Sequence, residues 1–174
     1  MASTQAQAHL PALGEHQRDE VGHQLQGMLV ELVDLALFGK QLHWSVTGPL
    51  FRPLHEQLDE LVDSWRELSD VVAERAVALG YWPDGQSATV ASASNLDRLE
   101  RGALEDHVVV RELTGRLADI AERGRERMDR LGEIDAASQD VIIEVVRALE
   151  QQLWMIRAQF GHQVVEARGR PLES

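Results

Sequence analysis

The sequence predicts an all-α fold: a four-helix bundle with a long crossover between the second and third helices. Three observations carry this. Apolar residues recur at helical spacing in four separate segments, no segment alternates with period two, and the five prolines fall outside those segments or at the start of one.

The first helix is expected over about 16–44, where Leu25, Met28, Leu32, Leu35 and Leu42 share one face. Gly48-Pro49 breaks the chain, and Pro53 opens a second helix that runs to about Leu79. Gly80, Pro83 and Gly85 end it. In the connection 80–100, the Ser/Ala-rich stretch QSATVASASN has room for one short helix. Leu104, Val108, Leu113, Leu117 and Ile120 define the third helix, closed by LGEID at 131–135, and Val141, Val145, Leu149, Leu153, Ile156 and Phe160 define the fourth. Four helices with one long central connection match a ferritin-like up-down bundle. The expected organisation is a flexible segment at 1–15, one bundle domain at 16–168 and a short tail at 169–174. Trp44, Trp65, Trp82 and Trp154 are expected to anchor packing.

Composition narrows the function. A chain of 174 residues with 44% hydrophobic content suits one core. The absence of Cys excludes disulfides, thiolate nucleophiles and Cys-ligated zinc or iron–sulfur sites. A formal charge of −12, with Lys40 the only lysine, excludes a wholly basic surface. There is no run of 18 apolar residues, and the N-terminus has neither a basic nor an apolar leader region, so a soluble, cytoplasmic protein with no membrane partner is expected.

The chemistry concentrates around residues 43–59, HWSVTGPLFRPLHEQLD. His55 and Asp59 lie four apart on the second helix, as do Asp70 and Glu74, so each pair is a two-pronged clamp. The eleven residues from 59 to 70 return to within about 20° of the same stripe. The midpoints of the two pairs are nevertheless roughly 22 Å apart along the helix, too far for one chain to wrap both around one metal. A two-fold axis near Ser64 and Trp65 resolves this by setting Asp70 and Glu74 of a second copy against His55 and Asp59 of the first. His43 is swung back beside them by the Gly48-Pro49 turn, giving two imidazoles and three carboxylates. Such a set suits Fe(II), Mn(II) or Zn(II), and open positions favour iron redox chemistry.

The same residues resemble the Dps family, the ferritin-like mini-ferritins named as DNA-binding proteins from starved cells. His43-Trp44-x-Val46-x-Gly48, Leu54-His55-x-x-x-Asp59, then Asp70-Val-Val-Ala-Glu74-Arg75 and Leu79-Gly80 match its two signatures in spacing. Ser69 stands where the second signature has an apolar residue. The similarity spans about 20–165 and includes Ser138-Gln139-Asp140 and Leu153-Trp154. It implies a ferroxidase centre of His43, His55 and Asp59 from one chain with Asp70 and Glu74 from another. It further implies a dodecameric shell that oxidises Fe(II), preferentially with hydrogen peroxide, and stores ferric mineral, with iron as the only cofactor and no organic one. Trp44 and Trp154 resemble aromatic positions near that centre, where an indole either traps radicals or simply packs. Asp140 resembles an acid lining a three-fold iron-access pore.

Two further groups are candidates. Glu56, Glu60, Asp63 and Glu67 form a second acidic stripe, either a mineral-nucleating wall or a solvated face. His16, Glu20 and His23 form either an accessory metal site or an ordinary exposed cluster.

Competing functions fare worse. An intrasubunit di-iron centre needs two E-x-x-H motifs, and only Glu20-Val21-Gly22-His23 fits. A zinc protease needs HExxH, whereas residues 55–59 read HEQLD. Nucleoid binding remains as the alternative. Residues 1–20 hold Arg18 as their only Lys or Arg, Arg168 and Arg170 face Glu166 and Glu173, and the arginines from Arg111 to Arg130 alternate with acids. DNA binding is therefore expected to be weak at physiological salt.

Overall fold

The computed structural model describes residues 13–166. Most of the expected segment 1–15 and all of the tail 169–174 lie outside the described residues. Four long helices, α1 (Glu15–Ser45), α2 (Phe51–Ala78), α4 (Asp106–Gly132) and α5 (Ala136–Glu166), form the bundle, and the short α3 (Ser87–Ala93) lies in the crossover. The α1/α2 and α4/α5 hairpins are the main packing units, and α1–α4 and α2–α5 contacts join them. No helix among the described residues is long and apolar enough to cross a membrane.

The core is the set of faces that the sequence pattern marks. Leu25, Met28, Leu32, Leu35 and Leu42 of α1 meet Leu54, Leu58, Trp65 and Val72 of α2, Leu113, Leu117 and Ile120 of α4, and Val145, Leu149 and Ile156 of α5, all buried. Gly39 lets α1 approach α2, because a Cβ there would lie 2.5 Å from the Trp65 ring. Between the hairpins, Glu31 of α1 is 1% exposed and accepts hydrogen bonds from Arg123 and Arg127 of α4. A carboxylate so deep is tolerated only when paired, so loss of either arginine would leave part of a buried charge unmatched.

Two helix ends are specified locally. α2 closes in a Schellman motif: Gly80, at φ +82°, donates its N–H to Val77 O while Tyr81 N–H reaches Ala76 O. α5 opens on Asp135, which accepts the Ser138 N–H and hydroxyl and the Arg75 guanidinium at 2.7 Å. Burial pushes the Asp135 carboxyl up, but the Ser138 and Arg75 hydrogen bonds outweigh it and hold it below the usual aspartate value. Its stabilisation is therefore complete above pH of about 4 and lost as pH falls through the lower folded value. Asp135→Ala is expected to cost about 1–2 kcal/mol at neutral pH, the range for losing a helix cap, and less in acid. Urea unfolding at both pH values measures this.

Three details depart from the sequence reading. Residues 46–47 and 104–105, where strands were not expected, form β1 (Val46–Thr47) and β2 (Leu104–Glu105), one short parallel bridge. Leu104 thus belongs to the bridge, and the α4 core begins at Val109 and Val110 rather than Val108. Among the tryptophans only Trp65 anchors the core of the chain, for Trp44, Trp82 and Trp154 are 70%, 82% and 66% exposed.

Candidate metal centre

The site is built where α1 hands over to α2. α1 ends as the chain enters Gly48, whose φ of +107° suits glycine, and the reversal returns His55 to the level of His43. The two imidazoles stack with centroids 3.6 Å apart at 21°. Each ring bonds the backbone of the other: His43 Nδ1 lies 2.9 Å from His55 O, and His55 Nδ1 lies 3.0 Å from His43 O. A carbonyl only accepts, so both Nδ1 atoms carry the hydrogen, and in the neutral rings both Nε2 lone pairs are left for a metal. Phe51 tilts against His55 at 5.0 Å.

Asp59 sits one turn beyond His55 with its side chain 52% exposed. Its Oδ1 accepts a hydrogen bond from the Lys40 ammonium at 2.5 Å and lies 3.4 Å from His43 Nδ1. The Lys40 hydrogen bond holds the Asp59 carboxyl below its ordinary range. Lys40 also reaches to 6.0 Å from the Trp44 ring centroid. Any cation arriving at Asp59 competes with this ammonium. Lys40, the sole lysine, lies three residues before His43 on the same helical face, a spacing that by itself sets it beside His43.

The other expected ligands stand apart. Asp70 and Glu74 lie farther along α2, exposed on the stripe that continues from Asp59. Among the described residues, no three His, Asp or Glu side chains of one chain converge as a metal site. Asp70 and Glu74 thus stand toward the far end of the same helix from His55 and Asp59.

The accessory candidates are exposed. Glu56 pairs with Arg52 and Asp63 with Arg66, while Glu60 and Glu67 face outward beside them. Asp140 lines a shallow depression on α5 with Glu144, Arg147 and Glu150. His16, Glu20 and His23 line another with Glu15 and Asp19, and His23 Nδ1 is 3.3 Å from the Tyr81 hydroxyl. Trp65, expected beside the two-fold axis, instead lies inside its own chain: it is 0% exposed and its Nε1–H donates to Gln152 Oε1 at 2.8 Å.

Comparison with known proteins identifies the fold and the family. The family described as ferritin-like domain matches residues 22–163. DNA protection during starvation protein of Mycolicibacterium smegmatis is 32% identical over 151 residues, which cover 86% of this chain and 81% of that protein. DNA protection during starvation protein 2 of Deinococcus radiodurans is 32% identical over 149 residues, 86% of this chain but 62% of the longer relative. Dps from Microbacterium arborescens, solved in a high iron form, superposes with a TM-score of 0.81 at 28% identity, covering 87% of this chain and 99% of that one. The four-helix bundle with its crossover and the family match define a ferritin-like protein. Within that class, the chain belongs to the Dps family.

Proposed function

We propose that the protein is a mini-ferritin that oxidises Fe(II) with hydrogen peroxide at centres shared between subunits and stores the ferric product. The observation that carries this reading is the stacked His43–His55 pair, whose Nδ1 atoms are both committed to carbonyls beside the Asp59 carboxylate. Two nitrogen donors and a carboxylate suit Fe(II) as substrate. Asp70 and Glu74 of the partner subunit complete the set in a two-fold dimer, the unit of a dodecameric shell. In the reaction two Fe(II) each give up one electron, and one hydrogen peroxide takes both with two protons and leaves as two waters. Each turnover removes both ingredients of hydroxyl-radical chemistry, which fits protection from oxidative stress in the cytoplasm.

Within this reading the accessory residues keep their places. Glu56, Glu60, Asp63 and Glu67 offer carboxylates for mineral nucleation, Asp140 an acidic rim at a pore, and Trp44 and Trp154 exposed indoles for stray radicals. His16, Glu20 and His23 offer a secondary metal site.

The test mixes apoprotein anaerobically with Fe(II), adds hydrogen peroxide and follows ferric absorbance against a protein-free control. Fast oxidation with soluble product supports the reading. Oxidation at the control rate with precipitating iron overturns it.

DNA protection is the second reading, favoured by the names of the relatives. Against a direct phosphate groove, Arg111, Arg116, Arg123, Arg125 and Arg127 each pair with a carboxylate of their own chain. The expected result with supercoiled plasmid is no gel retardation at physiological salt. Retardation there would establish DNA binding.

A further inference from the structure

We propose that Asp106, the first residue of α4, is the positioning residue of the His43–His55 half-site, setting the height of one imidazole against the other by clamping the turn between them. The assignment rests on the metal reading of that pair and adds to it a residue outside the ligand set. Residues 44–54 form a reversal whose base is the pair of reciprocal histidine–carbonyl bonds. On its other side the reversal meets the end of the crossover. Val46 and Thr47 pair with Leu104 and Glu105, and the Thr47 hydroxyl donates to Leu104 O at 3.1 Å. At its apex Asp106 Oδ2 accepts the Leu50 N–H at 2.9 Å. The same oxygen would lie 2.9 Å from a Cβ on Gly48, so the carboxylate is seated directly against the glycine of the turn.

Leu50 occupies the N-cap of α2 and makes no side-chain cap bond there. A helix start without a local cap takes its direction from whatever satisfies its first N–H groups. Here the Phe51 N–H bonds Gly48 O within the turn at 3.0 Å, and the N–H of the N-cap Leu50 takes its acceptor from α4, so Asp106 holds both the N-cap and, by its seat against Gly48, the turn that bonds Phe51. His55 is little more than one turn into α2, so a shift at Leu50 is transmitted to His55 along a rigid helix, while His43, on α1, stays in place. Metal affinity is sensitive to such groups because ligand orientation is set by the bonds behind the ligands. Asp106 is only 6% exposed. Its burial is offset by the Leu50 bond and by the N-terminus of its own helix, where a negative charge is favoured.

The experiment titrates assembled apoprotein with Co(II) alone and reads the visible ligand-field absorption, using His55→Ala to identify the signal from this site. Asp106→Ala is expected to weaken Co(II) binding about tenfold or more, the usual scale for losing a group that orients a ligand. Asp106→Asn, which keeps an oxygen acceptor of the same reach, should restore it. Asp106→Glu, which keeps the charge but does not fit against Gly48, should not. Asp84→Ala removes the carboxylate that bonds Gln86 and Thr89 at the other end of the crossover and is expected to leave the spectrum unchanged. If Asp106→Ala fails to assemble, the Asn and Glu variants decide between geometry and charge. Binding by Asp106→Ala equal to the parent, a rescue by Glu rather than Asn, or an equal loss in Asp84→Ala overturns the assignment while the metal reading stands. A parent protein with no His55-dependent Co(II) spectrum removes the metal reading and the assignment with it.

Discussion

His55→Ala and Asp59→Ala are each expected to slow peroxide-driven oxidation of Fe(II) by on the order of 10–100-fold, with the assembly unchanged on sizing. The two variants should not be equal. Removing the His55 ring leaves its backbone carbonyl in place, so His43 Nδ1 keeps its acceptor and one nitrogen donor stays aimed. Removing the Asp59 carboxylate takes away a donor and also frees the Lys40 ammonium that it neutralises at 2.5 Å. A free cation beside position 59 repels Fe(II), and the Lys40 side chain is only 24% exposed, so water screens it incompletely. Asp59→Ala should therefore be the slower variant, and the double variant Lys40→Met with Asp59→Ala should recover part of the loss. Stopped-flow ferric absorbance at fixed peroxide measures all three. Parent-like rates in both single variants would place the centre elsewhere in the chain.

What the sequence makes legible follows the range of the interactions involved. The helices are written in spacing that local geometry enforces: Leu25, Met28, Leu32 and Leu35 are buried where a helical period puts them. The His43–His55 approach is likewise local, because a short reversal with Gly48 and Pro49 at its centre admits little else. Lys40 was within reach of the same reasoning, since a residue three before His43 shares its face. Asp106 was not. It meets the turn from 56 residues beyond Leu50, through a crossover whose return point no periodicity specifies. The exposed Trp44 and Trp154 make a related point. An indole in an apolar helical pattern reads as core, and only the path of neighbouring helices shows that the chain itself leaves these rings uncovered.

Trp65 shows the difference between height along a helix and direction around it. The midpoint between the His55/Asp59 and Asp70/Glu74 pairs gives the level at which the proposed two-fold axis would cross α2, and position 65 is at that level. At about 100° per residue, however, position 65 falls roughly 80° round the helix from His55, on the side away from Asp59 and Asp70. The indole consequently points into the bundle, against Gly39, and its N–H reaches Gln152 on α5. Trp65→Ala should therefore act on the fold of each chain, at a cost of about 3–5 kcal/mol, the range for emptying a buried aromatic site. In a chain of this size that corresponds to a fall of about 6–20 °C in Tm. Trp65→Phe keeps most of the volume and should cost less, leaving Gln152 Oε1 without the indole donor while Gln152 still reaches Ser64. Thermal unfolding followed by circular dichroism, with sizing below the transition, separates the two roles. A large fall in Tm with an intact assembly places Trp65 in the core that holds α2 straight between the His55/Asp59 and Asp70/Glu74 pairs, whereas dissociation with little change in Tm would return it to the two-fold face.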